Sequence, residues 1–75
     1  DKFSFVNENL ANVFAEIERQ FDVKVSNKVL NIAGLEMTGS FEKHENAAET
    51  LALICQNFDL NFQKLNENTY LVLKK

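Results

Sequence analysis

Glu8-Asn9-Leu10-Ala11-Asn12-Val13-Phe14-Ala15-Glu16-Ile17-Glu18-Arg19-Gln20-Phe21-Asp22 decides the fold, because it is answered 37 positions later by Glu45-Asn46-Ala47-Ala48-Glu49-Thr50-Leu51-Ala52-Leu53-Ile54-Cys55-Gln56-Asn57-Phe58-Asp59. Aligned over residues 5–25 and 42–62, the two segments share Glu8/Glu45, Asn9/Asn46, Ala11/Ala48, Ala15/Ala52, Ile17/Ile54, Phe21/Phe58 and Asp22/Asp59. Phe14/Leu51, Val23/Leu60 and Val25/Phe62 match in character. Seven identities in 21 positions exceed what this composition gives by accident, so the chain carries two copies of one supersecondary unit.

Periodicity says what the unit is. Leu10, Val13, Phe14, Ile17 and Phe21 recur at the spacing of an amphipathic helix, with Asn9 placed to accept a hydrogen bond from a free backbone N–H at its start. The second helix is expected from Asn46 to about Phe58, and Asn46 and Glu49 have the spacing of a capping box. Short β-prone segments precede each helix, at residues 3–6 and 37–41, and follow it, at residues 23–25 and 60–62. Both helices leave through Phe-Asp without a glycine. Asp tolerates the left-handed conformation of a tight helix exit, so Asp22 and Asp59 are expected at positive φ. Asn66-Glu67-Asn68 reads as a hairpin turn into a last strand over residues 69–73, and residues 26–35 form the main connecting loop.

The expected fold is α+β: a duplicated β-α-β unit plus a C-terminal strand, in the order β-α-β-β-α-β-β. Two helices would lie between two small sheets, one sheet built from the first strands of the repeats and the other from their second strands plus the last strand. The continuous Tyr70-Leu71-Val72-Leu73 run suits a central strand with both faces partly covered. Helix two is apolar over a wider arc than helix one, through Ala47, Ala48, Leu51, Ala52, Ile54, Cys55 and Phe58, which predicts contact on more than one side. An open-faced sandwich of one sheet and two helices is the simpler alternative.

Composition bounds the function. At 75 residues the chain is one domain, and folding at this size hides only about 60% of the unfolded surface. The 45% hydrophobic and 25% charged residues are those of a globular domain. A net charge of −3 with scattered Lys and a single Arg argues against a phosphate-backbone partner. Cys55 has no second Cys to pair with, so it does not mark a redox compartment. No apolar run approaches the roughly 20 residues of a spanning helix. The chain starts with Asp1 rather than Met, which reads as a piece of something longer.

The inventory for catalysis is poor. His44 stands in a polar stretch before helix two with no partner for zinc. Cys55 falls on an apolar arc and reads as a small buried hydrophobe. Glu16, Glu18, Glu42 and Glu45 read as solvated carboxylates. Thr38-Gly39-Ser40 lacks a phosphate-loop pattern, and Gly39 is expected to mark a bulge or a close backbone approach. An acylphosphatase-like enzyme would want an arginine in an anion-binding loop, whereas Arg19 lies in a helix. Phe3, Phe5, Phe41 and Phe62 lack the interleaved basic residues of a stacking platform and are assigned to packing. No catalytic, cofactor-binding or metal-binding residue is assigned, and the function must be contact. Exposed strand edges are the first candidate surface and Leu53, isolated on the polar side of helix two, is the candidate partner-binding residue.

The segments Phe3-Ser4-Phe5-Val6-Asn7-Glu8-Asn9-Leu10-Ala11-Asn12-Val13-Phe14, Ile17-Glu18-Arg19-Gln20-Phe21-Asp22-Val23-Lys24-Val25, Met37-Thr38-Gly39-Ser40-Phe41, Leu51 to Phe62 and Asn68-Thr69-Tyr70-Leu71-Val72-Leu73 resemble the C-terminal domain of FecR-like anti-sigma factors of Bacteroidetes. The fold this implies is similar to the secretin and TonB N-terminal (STN) signalling domain. The resemblance further implies a parent protein with a cytoplasmic sigma-binding part, one transmembrane helix and a periplasmic region that ends in this domain, residues 1–75. The implied partner is the periplasmic signalling domain of a TonB-dependent outer-membrane transducer, whose state is relayed to an ECF-type sigma factor without a cofactor. The alternative is the STN domain of the transducer itself; Leu71-Val72-Leu73-Lys74-Lys75 reads as a chain end and favours the anti-sigma factor.

Overall fold

The computed structural model describes residues 2–29, 32–42 and 46–74, with side chains from Ser4 onward. Chain order is β1 (Lys2–Asn9), α1 (Leu10–Phe21), β2 (Lys24–Asn27), a 3-10 turn (Ile32–Gly34), β3 (Glu36–Glu42), α2 (Ala47–Asn57), β4 (Leu60–Asn66) and β5 (Thr69–Lys74). The leading strands β1 and β3 pair antiparallel in a two-stranded sheet. The trailing strands and the last strand form a three-stranded sheet in the order β2-β5-β4, with β5 parallel to β2 and antiparallel to β4. Both sheets have the membership the repeat predicts, and β5 is central.

Each helix starts where its asparagine supplies an acceptor. Asn9 Oδ1 takes the Asn12 N–H at 2.9 Å, and Asn46 Oδ1 takes the Glu49 N–H at 2.8 Å, with Glu49 Oε1 accepting in return from the Asn46 N–H at 3.4 Å. Each ends at an aspartate in the left-handed region: Asp22 has φ 54° as the C-cap of α1, and Asp59 has φ 57° one residue past the C-cap Phe58 of α2. The Asp22 N–H donates to the Glu18 carbonyl, which closes the last turn of α1.

The buried residues of α1 are Leu10, Val13, Phe14 and Ile17; moved by 37 positions they fall on Ala47, Thr50, Leu51 and Ile54, all buried in α2. Helix two adds Cys55. Phe5, Met37 and Phe41 from the first sheet and Leu60, Tyr70 and Val72 from the second join the helices in one core cluster. Phe5 and Phe41 meet as tilted rings with centroids 6.3 Å apart, and Phe62 and Tyr70 do the same at 6.1 Å. Phe62 is half-buried, and the side chain of Phe3 lies outside the described residues.

Two expectations need correction, and one buried polar residue was not foreseen. Thr50 is buried, and its hydroxyl donates to the Asn46 carbonyl at 3.1 Å, so the helix itself satisfies the group. Ala52, placed on the buried arc of α2, is exposed. Gly39 marks no close approach, since a Cβ there would meet only Met37 Cε at 3.6 Å, but its pair with Phe5 borders a bulge. The bulge lies opposite, where Val6 and Asn7 of β1 together face Thr38. Asn7 takes φ 48°, and its N–H donates to Thr38 Oγ1 at 2.9 Å.

Strand lengths also differ from the expected ones. β4 continues to Asn66 instead of stopping at residue 62, because the antiparallel ladder to β5 carries the extended backbone into a two-residue turn at Glu67 and Asn68. Asn66 Oδ1 holds that turn by accepting the Asn68 N–H at 2.9 Å. The ladder slips between Lys64 and Asn66, leaving Leu65 as the extra residue of a second bulge. The connecting loop is tied down at both ends. The Lys28 N–H reaches the Val72 carbonyl at 2.9 Å, and the Leu10 N–H reaches the Leu35 carbonyl at 2.8 Å.

Candidate interaction surface

Of the residues weighed for chemistry, the structure joins Arg19 to Glu16 on a helix surface, away from any loop. Arg19 is committed to an i, i+3 ion pair with Glu16 on the exposed side of α1, and Gln20 Nε2 donates to the other oxygen of the same carboxylate at 2.6 Å. His44 and Glu45 lie outside the described residues. Cys55 is buried, and desolvation pushes its thiol up from 9.0 to about 11, which suppresses the reactive thiolate. Thr38, Gly39 and Ser40 run through the middle of β3, with Thr38 engaged by Asn7 across the bulge. Among the described residues no group of three or more His, Cys, Asp and Glu is placed to hold a metal ion, and no helix is long and apolar enough to cross a membrane.

Contact features are better developed. Among the described residues three large apolar side chains are exposed: Val6 at 74%, Leu65 at 55% and Leu53 at 45%. Leu53 projects from α2, as helical spacing places it. Val6 and Leu65 were missed, since both stand at bulges where the extra residue turns an apolar side chain outward. The only sequence trace of either is the asparagine that follows it, Asn7 or Asn66.

Two grooves run beside strand edges. One, of about 310 Å³, is lined by Phe5 and Glu8 of β1 and by Asn12, Ala15, Glu16 and Arg19 of α1. Its polar groups are mutually engaged, Asn12 Nδ2 donating to Glu8 Oε2 at 2.8 Å and Arg19 pairing with Glu16. The other, of about 280 Å³, lies between α2 and β4 and is lined by Ala52, Cys55, Gln56, Leu60, Asn61 and Phe62. It is the less polar of the two, and the exposed Ala52 edge of the wide apolar arc borders it.

Charge divides the two sheets. The three-stranded sheet carries Lys24, Lys64 and Lys74 and no carboxylate along its strands. The two-stranded sheet carries Glu8, Glu36 and Glu42 and no lysine or arginine among its described side chains. A domain with net charge −3 therefore presents one basic sheet and one acidic sheet.

The described residues form a small α+β domain built from a doubled β-α-β unit and a last strand, in two small sheets. The chain belongs to the family described as FecR, C-terminal, whose family model matches residues 2–72. Two crystal structures of a candidate anti-sigma factor from Parabacteroides distasonis ATCC 8503, at 2.50 Å and 1.65 Å resolution, share the fold. Each is 14% identical with a TM-score of 0.82, over 99% of this chain and 34% of that one. The chain thus spans about a third of the length of those structures. A search of curated proteins finds no match.

Proposed function

We propose that this domain is the periplasmic signal-receiving module at the C-terminal end of a membrane-anchored FecR-like anti-sigma factor. In this reading it contacts the STN domain of a TonB-dependent outer-membrane transducer, and ligand capture by the transducer is relayed through the inner membrane to an ECF-type sigma factor. The observation that carries the reading is the match to the FecR C-terminal family over residues 2–72. The same reading gives the domain a regulatory and non-enzymatic role. A contact module needs an exposed apolar anchor, and Leu53 is offered as one.

The test is a titration of the ¹⁵N-labelled domain with the STN domain of the cognate transducer. Shifts confined to strand edges or to the outer face of α2 support the reading; no shift at high concentration rejects direct recognition. Leu53→Ser should weaken that binding and leave stability within about 0.5 kcal/mol, as for surface positions generally. The parent gene supplies a second check, since a plug and barrel encoded downstream would assign the domain to the transducer instead.

A further inference from the structure

The two repeats treat their trailing strands differently at one equivalent position. In the parallel pair, the Lys24 N–H reaches the Asn68 carbonyl at 2.7 Å and the Lys28 N–H reaches the Val72 carbonyl at 2.9 Å, so even-numbered residues of β2 point their backbone groups at β5. Strand alternation then turns the Val25 N–H outward. That outward donor is taken by Glu18 Oε2 at 2.8 Å, so the outer edge of β2 is closed by a side chain from α1.

The same alternation settles β4. Tyr70 and Val72 of β5 spend their backbone groups on β2, so Leu71 and Leu73 serve β4, where their partners are Gln63 and Asn61. The backbone groups of Phe62 and Lys64 therefore point outward. Phe62 is the repeat equivalent of Val25, and the equivalent of Glu18 is Cys55. A buried thiol is no substitute for a carboxylate as an acceptor, and among the described residues no side chain closes this edge.

We propose that the outer edge of β4, with the groove between it and α2, accepts an added strand from a protein partner, and that this strand carries an aliphatic side chain flanked two residues away by carboxylates. The inference rests on the reading of the domain as a contact module. The groove gives the aliphatic side chain its seat against Ala52, Cys55 and Phe62. Lys64 follows Phe62 by two positions on the same face of β4, and Lys74 stands opposite Leu60 at the other end of that face. No acidic residue lies within β4 or β5. Main-chain pairing supplies affinity in such an addition, and the side-chain pattern supplies choice. An acidic strand is correspondingly disfavoured at β1 and β3, beside Glu8, Glu36 and Glu42.

The probe is the peptide acetyl-Thr-Glu-Thr-Val-Thr-Glu-Thr-amide, whose pattern reads the same in either direction, set against its counterpart with lysine in place of both glutamates. Titrated into the ¹⁵N-labelled domain, the acidic peptide should move the Phe62 and Lys64 amides most and bind at least tenfold more tightly than the basic one. N-methylation of the central peptide bonds should abolish the shifts. Lys64→Glu, an exposed change, should reverse the preference. Largest shifts on β1, β2 or β3, equal binding of the two peptides, or no shift at millimolar peptide would each overturn the proposal. Because neither peptide comes from a transducer, such a failure leaves the transducer titration as a separate question.

Discussion

The two β-α-β units bury the same four helical positions and differ at the fifth. In the first unit Glu18 leaves the core to close the edge of β2; in the second, Cys55 takes that place in the core and leaves the edge of β4 open. A duplicated unit can thus share one interior and still present two unlike surfaces. One unit is finished off by its own side chain, and the other keeps main-chain groups available. Charge follows a different division, by sheet and not by unit: the three-stranded sheet, which holds both the closed and the open edge, carries Lys24, Lys64 and Lys74.

The likeness of the interiors can be broken most severely at Ile17 and Ile54, equivalent and fully buried. Ile17→Ala and Ile54→Ala should each lower the free energy of unfolding by about 2–5 kcal/mol in urea titrations. Costs that differ by more than twofold would show that the two half-cores are not equivalent.

The difference at the fifth position is sharpened by pH. The Cys55 thiol is raised to about 11 in the fold from an ordinary 9.0, because burial disfavours the thiolate. The unfolded chain loses this proton first, so the contribution is fully present below pH 9 and is lost as pH rises toward 11. Relative to Cys55→Ala, the native chain should lose roughly 2–3 kcal/mol across that interval, followed by chemical denaturation at each pH. Parallel curves for the two proteins would show a thiol in contact with water.

Glu18→Ala removes the acceptor of the Val25 N–H and should cost about 1–3 kcal/mol, read as a lower denaturation midpoint and faster amide exchange at Val25. Unchanged exchange there would mean that β2 is closed by something else. The smallest effects are expected where the units agree best. Asp22→Ala and Asp59→Ala should each cost about 1 kcal/mol and the glycine variants less, because both backbones are left-handed. Alanine and glycine variants of equal stability would remove the argument from backbone conformation.

The local features of the fold were readable in advance. Asn9 and Asn46 cap helices because a short side-chain acceptor sits beside free N–H groups, and Asp22 and Asp59 end them because the next strand follows without a glycine. The surface was read less completely. Leu53 was visible as an apolar residue at a polar helical position, but Val6 and Leu65 become exposed only through bulges, which depend on how two strands register. The closed edge of β2 could not be read either, since Glu18 and Val25 lie seven residues apart in a chain that gives no sign that they meet.

By itself, then, the sequence determined the repeat, the two helices with their caps and exits, the membership of both sheets and the central place of the last strand, since these follow from short-range hydrogen bonding and the period of apolar residues. The tertiary structure alone decided which way each strand turns its main-chain groups. That choice is a matter of parity in the pairing with β5, where a shift of one residue would exchange inward for outward. It also decided that Glu18 closes one edge while Cys55, its counterpart in the repeat, leaves the other without an acceptor.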